Sequence, residues 1–460
     1  MSGGRTATSE LPAAPVNGRF PLSSMQEVFC SDERHMTDRF IVVNAWRVRG
    51  RVDTAALQGA LDDLVARHEI LRSVFGHEND GSSYQQVMPP CAVPLLVADI
   101  EPFTGRSREI RAEELIIEAE VGRLDPYELP LIRAELHRFD DQDSVFVLVH
   151  HHLGMDGRSV GVGIRDLAEF YAARVAGREP KLPEVKQARE FAAWQRARSR
   201  DLDSAEGAAI RAYWRDRLAG AQIFTLPTDR PMPPRYSQPY SEHVYDYDEQ
   251  FVASLAALAR QERCSLFMVL LAGMAVLAHE VRGATDTAFR VLTSGRNEAA
   301  FQETVGLLID FLPVRVEIAD CTSFRDVLRR ARAAAAGAFT HEIPMGEIAK
   351  LAPELTRPEG NPSDCFMNFI FHQQPSAAET YPIGDGAVEI RERVLEPDET
   401  GDMPFGASWN TEVIPSGRFN GGVLYNRDEF DASTIARWTA AYHRILAGAV
   451  ADPGSAWREL

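Results

Sequence analysis

The chain has 460 residues, 45% of them hydrophobic, with 49 Lys and Arg against 67 Asp and Glu and a formal charge of −18. At roughly 150 residues per domain, that length supports two to three domains with sizeable cores. A surface this acidic repels phosphate backbones, which argues against nucleic acid as a partner. Short arginine clusters, such as Arg196, Arg198 and Arg200, have helix-like spacing and read as solvated faces, with an acidic partner or a phosphate as the alternative. Five scattered cysteines, never at metal-ligand spacing, point to neither a disulfide framework nor a zinc site. The longest apolar run, Leu266 to Ala278, is too short to span a bilayer. The expectation is a reduced, soluble, cytoplasmic protein with no membrane partner and no metal.

In chain order, residues 1–18 are rich in Gly, Ser, Thr, Ala and Pro and read as a flexible leader. A turn into a short helix follows at Phe20 to Gln26, then a strand over Phe40 to Val48. Asp53 can cap a helix whose apolar stripe is Ala56, Leu57, Ala60, Leu61, Leu64 and Val65. The chain re-extends through Leu71 to Phe75, and a second helix spans about Ser107 to Val121. Strands are expected near Leu131 to Leu136 and Val145 to Val149, and a helix over Arg158 to Ala176 closes a first lobe at 19–176.

Residues 177–240, rich in Pro, Arg and Ala, read as a connector with two helical stretches. Leu226 to Pro231 is expected to form no regular element. A second lobe, 241–460, opens with a strand at Val244 to Tyr247 and helices at Phe251 to Gln261 and Ser265 to Val281. A strand at Thr287 to Leu292 and a helix at Phe324 to Ala338 follow. Strands near Cys365 to Phe371, Ala407 to Val413 and Gly421 to Tyr425 precede a last helix, Asp431 to Val450. Both halves are mixed α/β and repeat a similar order of elements.

The run His151-His152-Leu153-Gly154-Met155-Asp156-Gly157 stands where a strand turns into a helix, a place where folds put chemistry. Its bland alternative is a strand-end cluster satisfied by backbone carbonyls. A metal site is a poorer alternative. Neighbouring histidines on a strand point to opposite faces, so at most two of His150, His151 and His152 could face one ion.

The spacing His-His-x-x-x-Asp-Gly resembles the signature of the condensation enzymes of nonribosomal peptide synthesis, within the chloramphenicol-acetyltransferase-like superfamily. Other segments are similar to the same family in the same order. They are Pro21-Leu22-Ser23-Ser24-Met25-Gln26, Arg67 to Phe75, Phe191-Ala192-Ala193-Trp194-Gln195, Val305 to Arg315, His341-Glu342-Ile343-Pro344, and Tyr425-Asn426 with Phe430-Asp431. Asp310 stands where the family usually has Asn, Ala188 and Glu190 replace its Tyr and Asp, and Met345-Gly346 stands where Phe-Glu is common. These segments border the acceptor side, so the departures put the usual aminoacyl acceptor in doubt.

The resemblance implies a pseudo-dimer of two acetyltransferase-like lobes in a V, with a central tunnel. It implies no bound cofactor. Substrate arrives on the phosphopantetheine of an acyl or peptidyl carrier protein acting in trans, and a small-molecule amine or alcohol accepts the acyl group to give an amide or ester. His152 is then the catalytic imidazole, as general base or as a positioning and electrostatic group. The Gly157 N–H is a candidate oxyanion donor, its bland role being the turn. His151 packs on the opposite face. Asp156 is structural and pairs with an arginine, Arg296 first and Arg67 second. Ser159 caps the helix or touches substrate, while Trp194 and Asp310 are candidate substrate-side residues. No adenylation or carrier segment appears in the sequence, so a free-standing enzyme is expected, similar to esterifying members of enediyne pathways. A non-catalytic recruitment module and an epimerisation domain are the rival readings.

Overall fold

A computed structural model describes all residues except 1–17, 31–37, 234–235, 237–238, 356–362, 374–378 and 403–405. Almost all of the expected leader therefore lies outside the described residues.

The histidine run ends a strand, Asp143–His151, in which every residue is buried. Such a strand belongs at the centre of a sheet, and it sits between Ile41–Arg49 and Ile132–Asp140, antiparallel to both. Alternation divides its side chains between two faces. Val145, Val147 and Val149 pack with Ala112, Leu115 and Ile116 of the helix Arg108–Glu120. Phe146 and Leu148 join the main core on the other face. There lie the helix Thr54–Arg67, capped by Asp53 as its sequence predicts, and the helix Gly157–Ala176, ended by Gly177 at φ +60°. The two are tied by the ion pair Arg174–Asp63 at 2.7 Å.

The sheet is completed by Leu95–Asp99 at one edge. At the other edge stand Gly386–Glu389 and Thr380–Tyr381, from far along the chain. The division at residue 240 is thus not the division in space: the first lobe borrows two strands from the second half. A separate three-stranded sheet joins Arg19–Pro21, Ser83–Val87 and Ser73–His77.

The second large sheet runs Asp310–Glu317, Asp286–Thr293, Asp364–Gln373, Ala407–Val413, Phe419–Asn426, Tyr240–Tyr247. Its three middle pairings mix parallel and antiparallel bonds. The helices Leu266–Arg282 and Ala432–Ala451 pack closely, with Gly273 making room for Leu446 and the Tyr442 hydroxyl donating to the Leu270 carbonyl at 2.8 Å. No single helix among the described residues is long and apolar enough to cross a membrane.

Two expectations need correction. Residues 225–227 do form a short strand, antiparallel to 364–366. Pro227 is its last residue, where no strand N–H is required. The stretch 177–240 is also more than a tie. Its helices Ala188–Asp201 and Ala205–Leu218 bind both halves, through Arg189 to Glu69 at 2.6 Å and through the Trp214 indole to the His341 carbonyl at 2.7 Å. Residues 390–402 bridge the halves a second time. The Ile390 N–H reaches the Ala45 carbonyl at 2.8 Å, Arg393 pairs with Glu120 at 2.8 Å, and the Thr400 N–H reaches the Tyr240 carbonyl at 2.9 Å.

Candidate active site

At the end of its strand the chain turns tightly. The Gly154 N–H returns to the His151 carbonyl, and the His152 N–H is held by the Phe40 carbonyl, both at 2.9 Å. His151 is buried against the edge of Phe40, and His150 is fully buried, so both pack. Burial and the neighbouring His152 push the His150 imidazole down to about 3, so it is neutral. His152 differs: it is half-buried within a run that is otherwise sealed from His150 to Asp156. Its ring stacks on Phe40 with centroids 4.8 Å apart. Its Nδ1 is buried without a hydrogen-bond partner among the described residues. Burial lowers its pKa, against a partial pull upward from nearby backbone carbonyls and Asp156. The free base is therefore its resting form near neutral pH.

Asp156 begins the next helix and is wholly buried. Its Oδ1 accepts from the Ser159 N–H and the Arg296 guanidinium, both at 2.9 Å, and from the Ser159 hydroxyl at 2.8 Å. Its Oδ2 accepts from Arg296 at 2.8 Å and from the Leu308 N–H at 2.9 Å. Burial alone would raise this carboxyl. The Arg296 charge and these hydrogen bonds outweigh it and hold the group below the usual range. The first candidate partner, Arg296, is therefore the one found. The second is not: Arg67 binds Asp166 at 2.8 Å, beside His68 at 3.0 Å, and braces the two helices of the first lobe.

Ser159 is neither cap nor substrate contact. Asp156 is the cap, and the Ser159 hydroxyl is enclosed by Asp156, Arg296 and the Gly306 backbone. The segment 304–308 thus closes the clamp from the second half of the chain. Gly295, at φ +62°, is required beside it, because a Cβ there would lie 1.8 Å from the Leu308 carbonyl oxygen. Gly157, the first residue of the helix, is exposed. The Asp156 cap reaches Ser159 and leaves the Gly157 N–H unused among the described residues. A free amide at a helix start is a donor for developing negative charge.

Trp194, a candidate substrate-side residue, is partly buried and packs on Phe191 and Phe301, with centroids 5.6 and 5.4 Å away. Asp310 is buried and accepts from the Phe311 and Met345 N–H groups at 2.9 and 3.1 Å. The crevice these two residues line holds about 40 Å³, room for a few waters rather than a substrate. Burial pushes the Asp310 carboxyl up to about 7. A carboxyl raised by folding contributes stability that is present below its ordinary value of 3.8 and is lost as pH rises through 7. Asp310→Asn should therefore melt higher than the wild type at pH 8 and no higher at pH 4. Equal shifts at both pH values would refute this. Phe40 and the 304–308 backbone complete the site. Only the second had a signal in the sequence, the motif around Gly306.

The profile of the condensation domain matches residues 16–460. The chain belongs to the condensation-domain family. It is 30% identical over 98% of its length to a component of the linear gramicidin synthase of Brevibacillus parabrevis, and 32% identical over 89% to the isonitrile lipopeptide synthase of Mycobacterium tuberculosis. It spans only 6% and 16% of those proteins. Among solved structures, SgcC5 from Streptomyces globisporus aligns with a TM-score of 0.88 at 34% identity, covering 95% of this chain and 100% of that one. The first condensation domain of the calcium-dependent antibiotic synthetase shares the fold at a TM-score of 0.78 and 21% identity, covering 97% and 99%. With the family comes its architecture, a V-shaped pseudo-dimer of mixed α/β lobes. Condensation domains form amide or ester bonds, need no cofactor of their own, and receive substrates on carrier-protein phosphopantetheine.

Proposed function

We propose that this chain transfers an acyl group from a carrier-bound phosphopantetheinyl thioester to the hydroxyl of a small diol, forming an ester in cytoplasmic natural-product biosynthesis. His152 Nε2 takes the hydroxyl proton as the oxygen attacks the thioester carbonyl. The C–O bond forms, the C–S bond breaks, and the proton passes to the leaving thiolate. The Gly157 N–H faces the developing oxyanion, and the Asp156–Arg296 pair positions the turn that carries both. The observation carrying the reading is the one imidazole of the run that is not sealed, half-buried and with a lowered pKa, just past the end of a buried strand.

The choice of a hydroxyl acceptor is supported by likeness to SgcC5, whose structure holds (R)-(-)-1-(2-naphthyl)-1,2-ethanediol and sucrose. The peptide synthetases among the relatives favour an amine instead. The test offers an acyl-loaded carrier protein with a 1-aryl-1,2-ethanediol, and separately with the matching amino alcohol. Ester from the diol supports the proposal. Amide alone overturns the acceptor, and deuterium exchange at the α-carbon without transfer overturns the reaction.

A further inference from the structure

Three successive carbonyls before the strand Ile41–Arg49 are held by three different parts of the chain. The Asp38 carbonyl accepts from the Leu124 N–H at 2.7 Å, just beyond the helix Arg108–Glu120. The Arg39 carbonyl accepts from the Asp402 N–H at the end of the bridge, and the Phe40 carbonyl from the His152 N–H, both at 2.9 Å. Residues 38–40 are therefore a node where the first lobe, the bridge and the His152 turn meet.

Arg39 fastens the bridge to that node. Its mostly buried guanidinium pairs with Glu399 at 2.5 Å, donates to the Thr400 carbonyl at 2.6 Å, and pairs through Nε with Asp402 at 3.2 Å. One planar fork thus grips three residues of a four-residue stretch. Gly401 lies close on the strand start, where a Cβ would come within 3.0 Å of the Arg39 and Ile41 carbonyl oxygens. The bridge hangs in turn on the second sheet, through the Thr400 N–H to the Tyr240 carbonyl at 2.9 Å and the Ser241 hydroxyl to the Pro397 carbonyl at 3.0 Å. The residue after Arg39 is Phe40, which is buried, packs on Phe29 with centroids 4.7 Å apart, and carries the stacked His152 ring. An exposed ion pair would contribute little wherever it fell, but this one is mostly buried, multiply bonded and one residue from the support of the imidazole.

We propose that Arg39 is a positioning residue for acyl transfer, given His152 as the proton acceptor proposed above: by clipping residues 399–402 to the strand start it fixes Phe40, and through Phe40 the imidazole, in register with the second lobe. Releasing the clip lets the Phe40 ring drift and admits water to the imidazole, which weakens the desolvation that lowers its pKa. The other groups that bear on the imidazole, Asp156 with its partner Arg296 and the buried His150, lie outside the clip. Arg123, paired with Asp38 at 2.8 Å, is a further cation near Glu399 and Asp402.

NMR on the full chain with isotope-labelled histidine titrates the His152 ring directly, its signal assigned by its loss in His152→Ala. Arg39→Ala should move that titration upward, toward the ordinary 6.5. Glu399→Ala combined with Asp402→Ala releases the same clip with the opposite change of charge and should move it in the same direction, whereas a through-space field would move it the other way. In a Phe40→Leu background Arg39→Ala should add little, because the path runs through that ring. With acyl-loaded carrier and diol, Arg39→Ala should lower kcat by about 10- to 100-fold and leave both KM values unchanged. Arg39→Lys, a point charge without the fork, should recover part of that loss. Either side of the clip can be released, so an unfolded variant on one side leaves the other to decide. An unmoved titration in folded variants, shifts of opposite sign from the two sides, full additivity with Phe40→Leu, or a loss confined to KM would each overturn the assignment. The titration needs no substrate: a wild type that transfers nothing to the diol sinks the proposed acceptor, and the titration still decides the clip.

Discussion

His152→Ala is expected to slow acyl transfer by about 10²- to 10⁴-fold, the usual contribution of one positioned acid–base group, while carrier affinity stays nearly unchanged. The expectation rests on geometry. The ring is fixed by the stack on Phe40 and by its own backbone bond to the Phe40 carbonyl, so the side chain reorganises little when substrate arrives. Truncating it removes a proton acceptor without opening the main core, because the ring is the half-buried member of its run. Its lowered pKa fixes the sign of the pH dependence. Activity should hold across neutral pH and fall on an acid limb below the ordinary imidazole value of 6.5. That limb should vanish from whatever activity the variant retains. Single-turnover rates with a preloaded carrier, measured alongside carrier binding, separate the two effects. A variant with wild-type rates would remove His152 from the chemistry, and one that loses binding in step with rate would make it a docking residue.

Local periodicity carried much of the fold. The helices Thr54–Arg67 and Leu266–Arg282, and the strand Ala407–Val413, lie where apolar spacing and caps put them. What periodicity does not encode is which strand lies beside which. Nothing local in Gly386–Glu389 announces that it pairs with Ile41–Arg49 in the opposite half. The hairpin Ser73–His77 with Ser83–Val87 was half visible, because its second strand, Ser-Tyr-Gln-Gln-Val, is mostly polar. In the site, the motif exposed His152 and Asp156, and the family resemblance suggested Arg296. Phe40 carried no mark beyond being the apolar first residue of an expected strand. Ser159 misled for a physical reason. A serine near a helix start is a good cap, but Asp156 already held that position, and the hydroxyl turned to the clamp instead.

Asp156→Ala should destabilise the protein by about 3–5 kcal/mol, the cost of leaving a buried ionic partner without its counterion, and lose solubility before it loses any chemical step. Arg296 is 3% exposed, and without Asp156 its guanidinium keeps only Ser159, the Thr304 carbonyl and its own Ser294 carbonyl. The same change removes the cap of the helix Gly157–Ala176 and the acceptor for the Leu308 N–H. Asp156→Asn keeps the shape and one acceptor oxygen but discards the charge and turns an amide donor toward the Arg296 guanidinium and either Ser159 or the Leu308 N–H, so it should fall between wild type and Asp156→Ala. The double variant Asp156→Ala with Arg296→Ala should be less unstable than the sum of the two single changes, because the second removes the orphaned cation. The pH dependence has a definite sign. A carboxyl lowered by folding contributes stability that is present above its ordinary value of 3.8 and is lost as pH falls through the lower folded value. The wild type should therefore lose its advantage over Asp156→Ala in strong acid. Denaturant midpoints across the five proteins, Arg296→Ala alone included, read all of this. Additive losses, or an Asp156→Ala protein that melts like the wild type yet is inactive, would make Asp156 a participant in the chemistry rather than the pin that holds its turn.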